Sequence, residues 1–140
     1  ASVSAVTTTE QLSMLQRECR TGYVDPSLVQ YAVRLVAATR NPDKYNVPNV
    51  AKYLTYGASP RATIHLVEGA RALAFLRGRT YVLPEDMSDI APDVLRHRLS
   101  LSYEALSDGM SADQLIHRLM KHLPAPERPL DTHVKVDANA

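Results

Sequence analysis

The residues best suited to chemistry in this chain form one short run, Gly57-Ala-Ser-Pro-Arg-Ala62. Gly57 permits a tight turn, and Ser59 followed by Pro60 fixes the start of a helix, because serine caps and proline is pre-set for the first helical position. Arg61 then falls in the first turn, where free backbone N–H groups and the positive end of the helix dipole already attract anions. Its planar guanidinium suits phosphate oxygens. A cation at a helix N-terminus costs roughly a few tenths of a kcal/mol, which a functional use would explain. On physics alone the plainer reading, an exposed arginine beside a good cap, carries more weight. His65 and Glu68 continue a polar stripe from Arg61, but the stripe supplies no nucleophile with a base and an orienting third group.

The other reactive side chains point to ordinary roles. His117 and His122 are five apart, which splays them around a helix, and His65, His97 and His133 lie in separate elements, so no metal site is expected. Asp86, Asp89 and Asp93 read as a wet helix face interrupted by Pro92. Arg77-Gly78-Arg79 and Arg96-His97-Arg98 read as surface clusters, with contact to a partner or nucleic acid as the alternative. Cys19 reads as a small apolar residue. The chain has no Gly-rich loop ending in Lys-Ser or Lys-Thr to cradle phosphates, no nucleophile elbow and no zinc signature.

The elements that position these residues are helical. Two overlapping capping boxes, Thr7 with Glu10 and Thr8 with Gln11, precede Leu12, Leu15 and Cys19 at helical spacing, predicting a first helix to about Arg20 that Gly22 stops. Asp25-Pro26 opens a second helix whose face is Leu28, Ala32, Leu35, Val36 and Thr39, ending near Asn41 ahead of Pro42. Residues 41–57, with Pro42, Pro48, Tyr45, Tyr53 and Tyr56, read as a long ordered loop with a short strand. An alanine-rich helix over 60–77 presents Ala62, Leu66, Ala70 and Leu73 and closes at Gly78. After an extended piece at 81–83, Pro84-Glu85-Asp86 opens a fourth helix, with a kink or break at Pro92 and a shorter turn to Leu101. Ser111 with Gln114 starts a last helix bearing Leu115, Leu119, Met120 and Leu123. The expectation is an all-α domain of four to five helices with one or two very short strands. Residues 1–7 are expected to be flexible, 8–123 to form the domain, and 124–140 to be a Pro-rich mobile tail.

Composition fits this picture. The chain has 140 residues, 45% of them apolar and 22% charged, enough for one compact core. Sixteen basic residues nearly balance fifteen acidic ones, giving +1 overall and no general reason to bind nucleic acid. One cysteine rules out an internal disulfide. No apolar run reaches the ~20 residues of a membrane span. No targeting segment is visible, so a cytoplasmic location is expected.

Four words of the sequence, in order, carry a resemblance. Gly57-Ala-Ser-Pro-Arg-Ala62 resembles the sensor-2 motif of MoxR-type AAA+ ATPases. Tyr31-Ala-Val-Arg-Leu-Val-Ala-Ala-Thr-Arg40 is similar to the family's first full lid helix. Ala70-Arg-Ala-Leu-Ala-Phe-Leu-Arg-Gly-Arg-Thr-Tyr-Val-Leu-Pro-Glu-Asp86 matches its alanine-rich helix and the start of the next, and Val94-Leu-Arg-His-Arg-Leu99 matches the end of that helix. The resemblance implies a C-terminal lid bundle that closes over ATP and magnesium held mainly by a separate P-loop domain. It implies that Arg61 is the sensor-2 arginine reaching the γ-phosphate, that Pro60 and Ala62 shape the approach, and that Tyr31 lies towards the nucleotide. It further implies hexameric rings of neighbouring subunits, partners with von Willebrand factor A domains, and chaperone-like remodelling. The lid alone, without a P-loop, would not hydrolyse ATP. The alternatives are a magnesium-chelatase-type lid, a helical DNA-binding module, and a scaffold that binds a protein through residues 45–56.

Overall fold

The computed structural model describes residues 3–127. Among them are six α-helices and two short strands: α1 (Thr9–Arg20), α2 (Pro26–Arg40), β1 (Leu54–Tyr56), α3 (Arg61–Leu76), α4 (Pro84–Leu95), β2 (Ser100–Leu101), α5 (Tyr103–Ser107) and α6 (Ala112–His122). The domain is a helical bundle, as the pattern of apolar residues predicts. Residues 3–7 are exposed and belong to no helix or strand, and most of the tail expected over 124–140 lies outside the described residues.

Side-chain caps set the helix starts. Of the two overlapping capping boxes, the second forms: Gln11 N–H donates to Thr8 Oγ1 at 3.2 Å and Thr8 N–H donates to Gln11 Oε1 at 3.0 Å. Asp25 Oδ1 accepts from the N–H and the hydroxyl of Ser27 at 2.8 and 2.6 Å, which starts α2. Ser111 and Gln114 form a complete box at α6. Each such cap is worth about 1 kcal/mol because it satisfies an otherwise orphaned N–H.

The core gathers one face each of α2, α3, α4 and α6. From α2 it takes Leu28, Tyr31, Ala32, Leu35, Val36, Ala38 and Thr39. From α6 it takes Leu115, Ile116 and Leu119, with Leu123 just beyond the helix. α3 contributes Ala62, Leu66, Ala70 and Ala74, every fourth residue, so Ala74 takes the place expected for Leu73. α3 packs most extensively on α4, and the closest approach falls at Gly69, where an added Cβ would lie 3.0 Å from Ile90. By contrast α1 buries no residue at all, and Leu12 and Leu15 stay about half exposed.

Residues 41–57 are ordered by their own small core. Val47, Val50 and Tyr53 are buried between two single turns of 3-10 helix, Pro42–Tyr45 and Ala51–Tyr53. Tyr53 donates its hydroxyl to Asp108 Oδ2 at 2.9 Å, which satisfies the polar end of a buried ring. Tyr56 faces solvent instead. β1 pairs antiparallel with β2, Leu54 opposite Leu101 and Tyr56 opposite Ser100, with an irregular register between them.

Two features differ from the sequence-based expectation. α4 neither breaks nor stops at Pro92 but runs on to Leu95, and Arg96 N–H bonds back to Pro92 O. A proline removes one helical hydrogen bond. Here fully buried Ala91 and Leu95 flank it, and keeping both in the core outweighs that loss. α5 was not anticipated. It is a five-residue helix started by Ser102 Oγ, which accepts from Ala105 N–H at 3.2 Å.

Candidate functional site

The site grows from the junction between the end of α2 and the start of α3. Thr39 is 1% exposed. Its hydroxyl donates to Val36 O at 2.7 Å, one turn back, and accepts from Ala58 N–H at 2.9 Å. The neighbouring Arg40 Nη1 donates to Ala58 O at 3.3 Å. Gly57 makes the approach possible: a Cβ there would lie 2.3 Å from Thr39 O, where no atom fits. Ser59 Oγ then accepts from Arg61 N–H at 3.2 Å. The serine thus satisfies one of the free donors at the start of α3, as its place in the motif predicts.

This places the residues that the sequence singles out as follows. Arg61 is exposed in the first turn of α3, and among the described residues its guanidinium has no hydrogen-bond or ion-pair partner. Arg17 and Arg20 also lack a partner among the described residues, but they lie in the last turn of α1, away from any helix start. Pro60 is exposed beside Arg61, and Ala62 is buried beneath it. The polar stripe does not assemble into a cluster, because Glu68 turns to Arg71 Nη1 at 2.8 Å. Tyr31 is 3% exposed inside the core. Burial pushes that phenol's pKa up, against the smaller opposing effects of Ser88 and Arg34. Among the described residues no group of three or more His, Cys, Asp or Glu side chains is arranged to hold a metal.

The aspartates and basic clusters also depart from the surface reading. Asp86 has no exposed side-chain surface. Arg79 grips its two oxygens at 2.7 and 2.6 Å, Arg77 adds a third bond at 2.8 Å, and Leu83 N–H a fourth at 2.8 Å. Arg77 reaches Asp89 as well, at 2.7 Å. Arg96 is held by Asp93 and Asp113 at 3.1 and 2.7 Å, and Arg98 bonds Val94 O and His97. Both clusters are therefore committed within the domain, which removes the main motive for reading them as a nucleic-acid surface. The signal that sequence reasoning passed over was sign complementarity: two arginines flank the glycine closing one helix, and an aspartate stands in the first turn of the next. Thr39 was legible as a face residue, but its hydroxyl's partner was not.

Comparison with known proteins agrees with this architecture. The AAA lid domain family matches residues 47–119. Chaperone MoxR1 of Mycobacterium tuberculosis is 41% identical over 122 residues, which cover 87% of this chain and 32% of that protein. Protein MoxR of Paracoccus denitrificans is 34% identical over 110 residues, 74% of this chain and 32% of its own length. A crystal structure of a protein assigned as an ATPase, from Cytophaga hutchinsonii, superposes with a TM-score of 0.75 at 40% identity, covering 79% of this chain and 34% of that one. The chain belongs to the AAA lid domains and is the lid of a MoxR-type AAA+ ATPase. It spans about one third of the length of these relatives. No helix among the described residues is long and apolar enough to cross a membrane.

Proposed function

We propose that this domain closes over ATP and magnesium held by a separate P-loop domain, and that Arg61 is its sensor-2 arginine, contacting the γ-phosphate. The observation that carries the reading is the unpartnered, exposed guanidinium of Arg61 at a helix start whose backbone is clamped to α2. Phosphoryl transfer is catalysed largely by positioned positive charge. An arginine with no internal partner can supply that charge without first breaking a bond of its own, and on a movable lid it does so only when the lid is shut. Pro60 and Ala62 set the approach, one on each side of it. The names of the MoxR relatives favour this over a magnesium-chelatase-type lid, and the commitment of both basic clusters to internal partners counts against a DNA-binding module. The assembly we infer is a ring of subunits, hexameric in the family, that works with von Willebrand factor A domain partners in chaperone-like remodelling.

The test is Arg61→Ala in the ATPase that carries this lid. Loss of one charge-stabilising donor should lower turnover by about tenfold or more. Turnover equal to wild type would remove Arg61 from the mechanism.

A further inference from the structure

We propose that Thr39 is a positioning residue for Arg61, holding the first turn of α3 in register with the last turn of α2. The inference rests on the reading of Arg61 as the phosphate-contacting arginine. Its basis is the number of independent constraints that meet within five residues. The Thr39 hydroxyl uses its single proton on Val36 O, which fixes the side-chain rotamer and aims a lone pair at Ala58 N–H. Arg40 takes the carbonyl of the same residue, so both backbone groups of Ala58 are held by consecutive residues of α2. Gly57 lies against the Thr39 carbonyl with no space for a side chain. Ser59 then fixes the N–H of Arg61 itself.

The buried position of this hydroxyl is informative. An apolar helix face has no need of a threonine at a site that is 1% exposed, and valine would fill the same volume. What valine lacks is the acceptor for Ala58 N–H. The start of α3 is thereby tied to a long helix whose own face lies in the core, and not to the loop that precedes it. A guanidinium on such a base keeps its aim when the lid moves as a body. A shift of about 1 Å at a charge-positioning group is enough to lower a rate by up to a hundredfold.

The experiment compares Thr39→Val, Thr39→Ser, Arg61→Ala and the double variant Thr39→Val/Arg61→Ala in the ATPase that carries this lid. kcat and KM for ATP are measured at a temperature where each variant is folded by thermal melting. Thr39→Val should lower kcat by about fivefold or more while KM moves less than about twofold, and Thr39→Ser should stay within about twofold of wild type. In the Arg61→Ala background Thr39→Val should have no further effect, since a positioning residue has nothing left to position. Equal losses with and without Arg61 would overturn the proposal, as would wild-type kcat in Thr39→Val alongside an impaired Arg61→Ala. Wild-type turnover in Arg61→Ala would instead sink the reading of the arginine, and this proposal with it. If Thr39→Val melts too low, Arg40→Met carries the same comparison from an exposed position. There a loss of about threefold that vanishes without Arg61 supports the clamp, and a loss of the same size in both backgrounds overturns it.

Discussion

Asp86 and Arg79 face each other as a two-pronged pair, Nη1 to Oδ2 at 2.7 Å and Nη2 to Oδ1 at 2.6 Å, with the carboxylate fully enclosed and the arginine side chain 20% exposed. Arg77 and Leu83 N–H complete the four bonds around the carboxylate. The pair locks the turn between α3 and α4, the two helices that pack most extensively on each other.

Asp86→Ala should therefore be among the most damaging single changes. Removing one partner of a buried pair typically costs 3–5 kcal/mol, and a value near the lower end, about 3 kcal/mol, is expected because the stranded arginines can turn towards water. For a domain of this size that is a fall in Tm of roughly 10 °C, measurable by circular dichroism. A shift under about 2 °C would show that the pair contributes little.

The same carboxylate predicts an acid limb. Burial alone would push its pKa up, but the Arg79 bonds, the Leu83 N–H and Arg77 together outweigh burial and hold it below the ordinary carboxylate value. A group depressed in the folded state contributes stability that is complete above its unfolded pKa and is lost as pH falls through the folded one. Urea midpoints should thus hold steady near neutral pH and drop below about pH 4. In Asp86→Asn, with nothing to titrate there, the drop should be shallower. An identical acid limb in both proteins would assign the effect to other groups.

A third prediction concerns the loop between α2 and α3. Asn46 and Asn49 adopt left-handed backbone, with φ of 54° and 58°. Asparagine tolerates this region better than other residues with a side chain, whereas alanine pays about 1 kcal/mol for it. Asn46→Ala should lower stability by that amount, and Asn46→Gly should lie within about 0.5 kcal/mol of wild type, since glycine's freedom in the unfolded chain offsets its ease in the turn. Equal effects of the two changes would mean that the asparagine side chain matters more than the backbone angle.

The isolated chain should also open unevenly. α1 has twelve residues, none buried, and a helix of that length is marginal in water without packing. Its amide protons should exchange at least about a hundredfold faster than those of α3 facing the core. Comparable protection in the two helices would reveal packing on α1 stronger than its exposure suggests.

What the sequence made legible follows from the range of the interactions involved. Caps act over three residues, so Thr8, Asp25, Ser59 and Ser111 announced their helices. Periodicity placed the faces of α2 and α6, and Tyr31 falls within the α2 stripe, three residues after Leu28 and four before Leu35, so its burial was available from spacing. Asp86 was not legible, because Asp86, Asp89 and Asp93 have the spacing of a solvated face and the arginines that enclose the first return only through the reversal at Gly78, where φ is +73°. α5 is too short to show a period. Arg61 was marked by its motif, but the clamp beneath it depends on a hydroxyl and a backbone N–H nineteen residues apart, which no local pattern records.

That separation has a consequence for how the domain takes shape during synthesis. The bond from Ala58 to Thr39 closes a loop of nineteen residues, while Tyr53 must wait for a partner fifty-five residues further on and Asn49 for one sixty-nine further on. Shorter loops cost less entropy to close, and chains emerge from the ribosome amino end first. The join between α2 and α3 can therefore set while α6 is still untranslated, and the later strand pairing wraps around a junction already fixed.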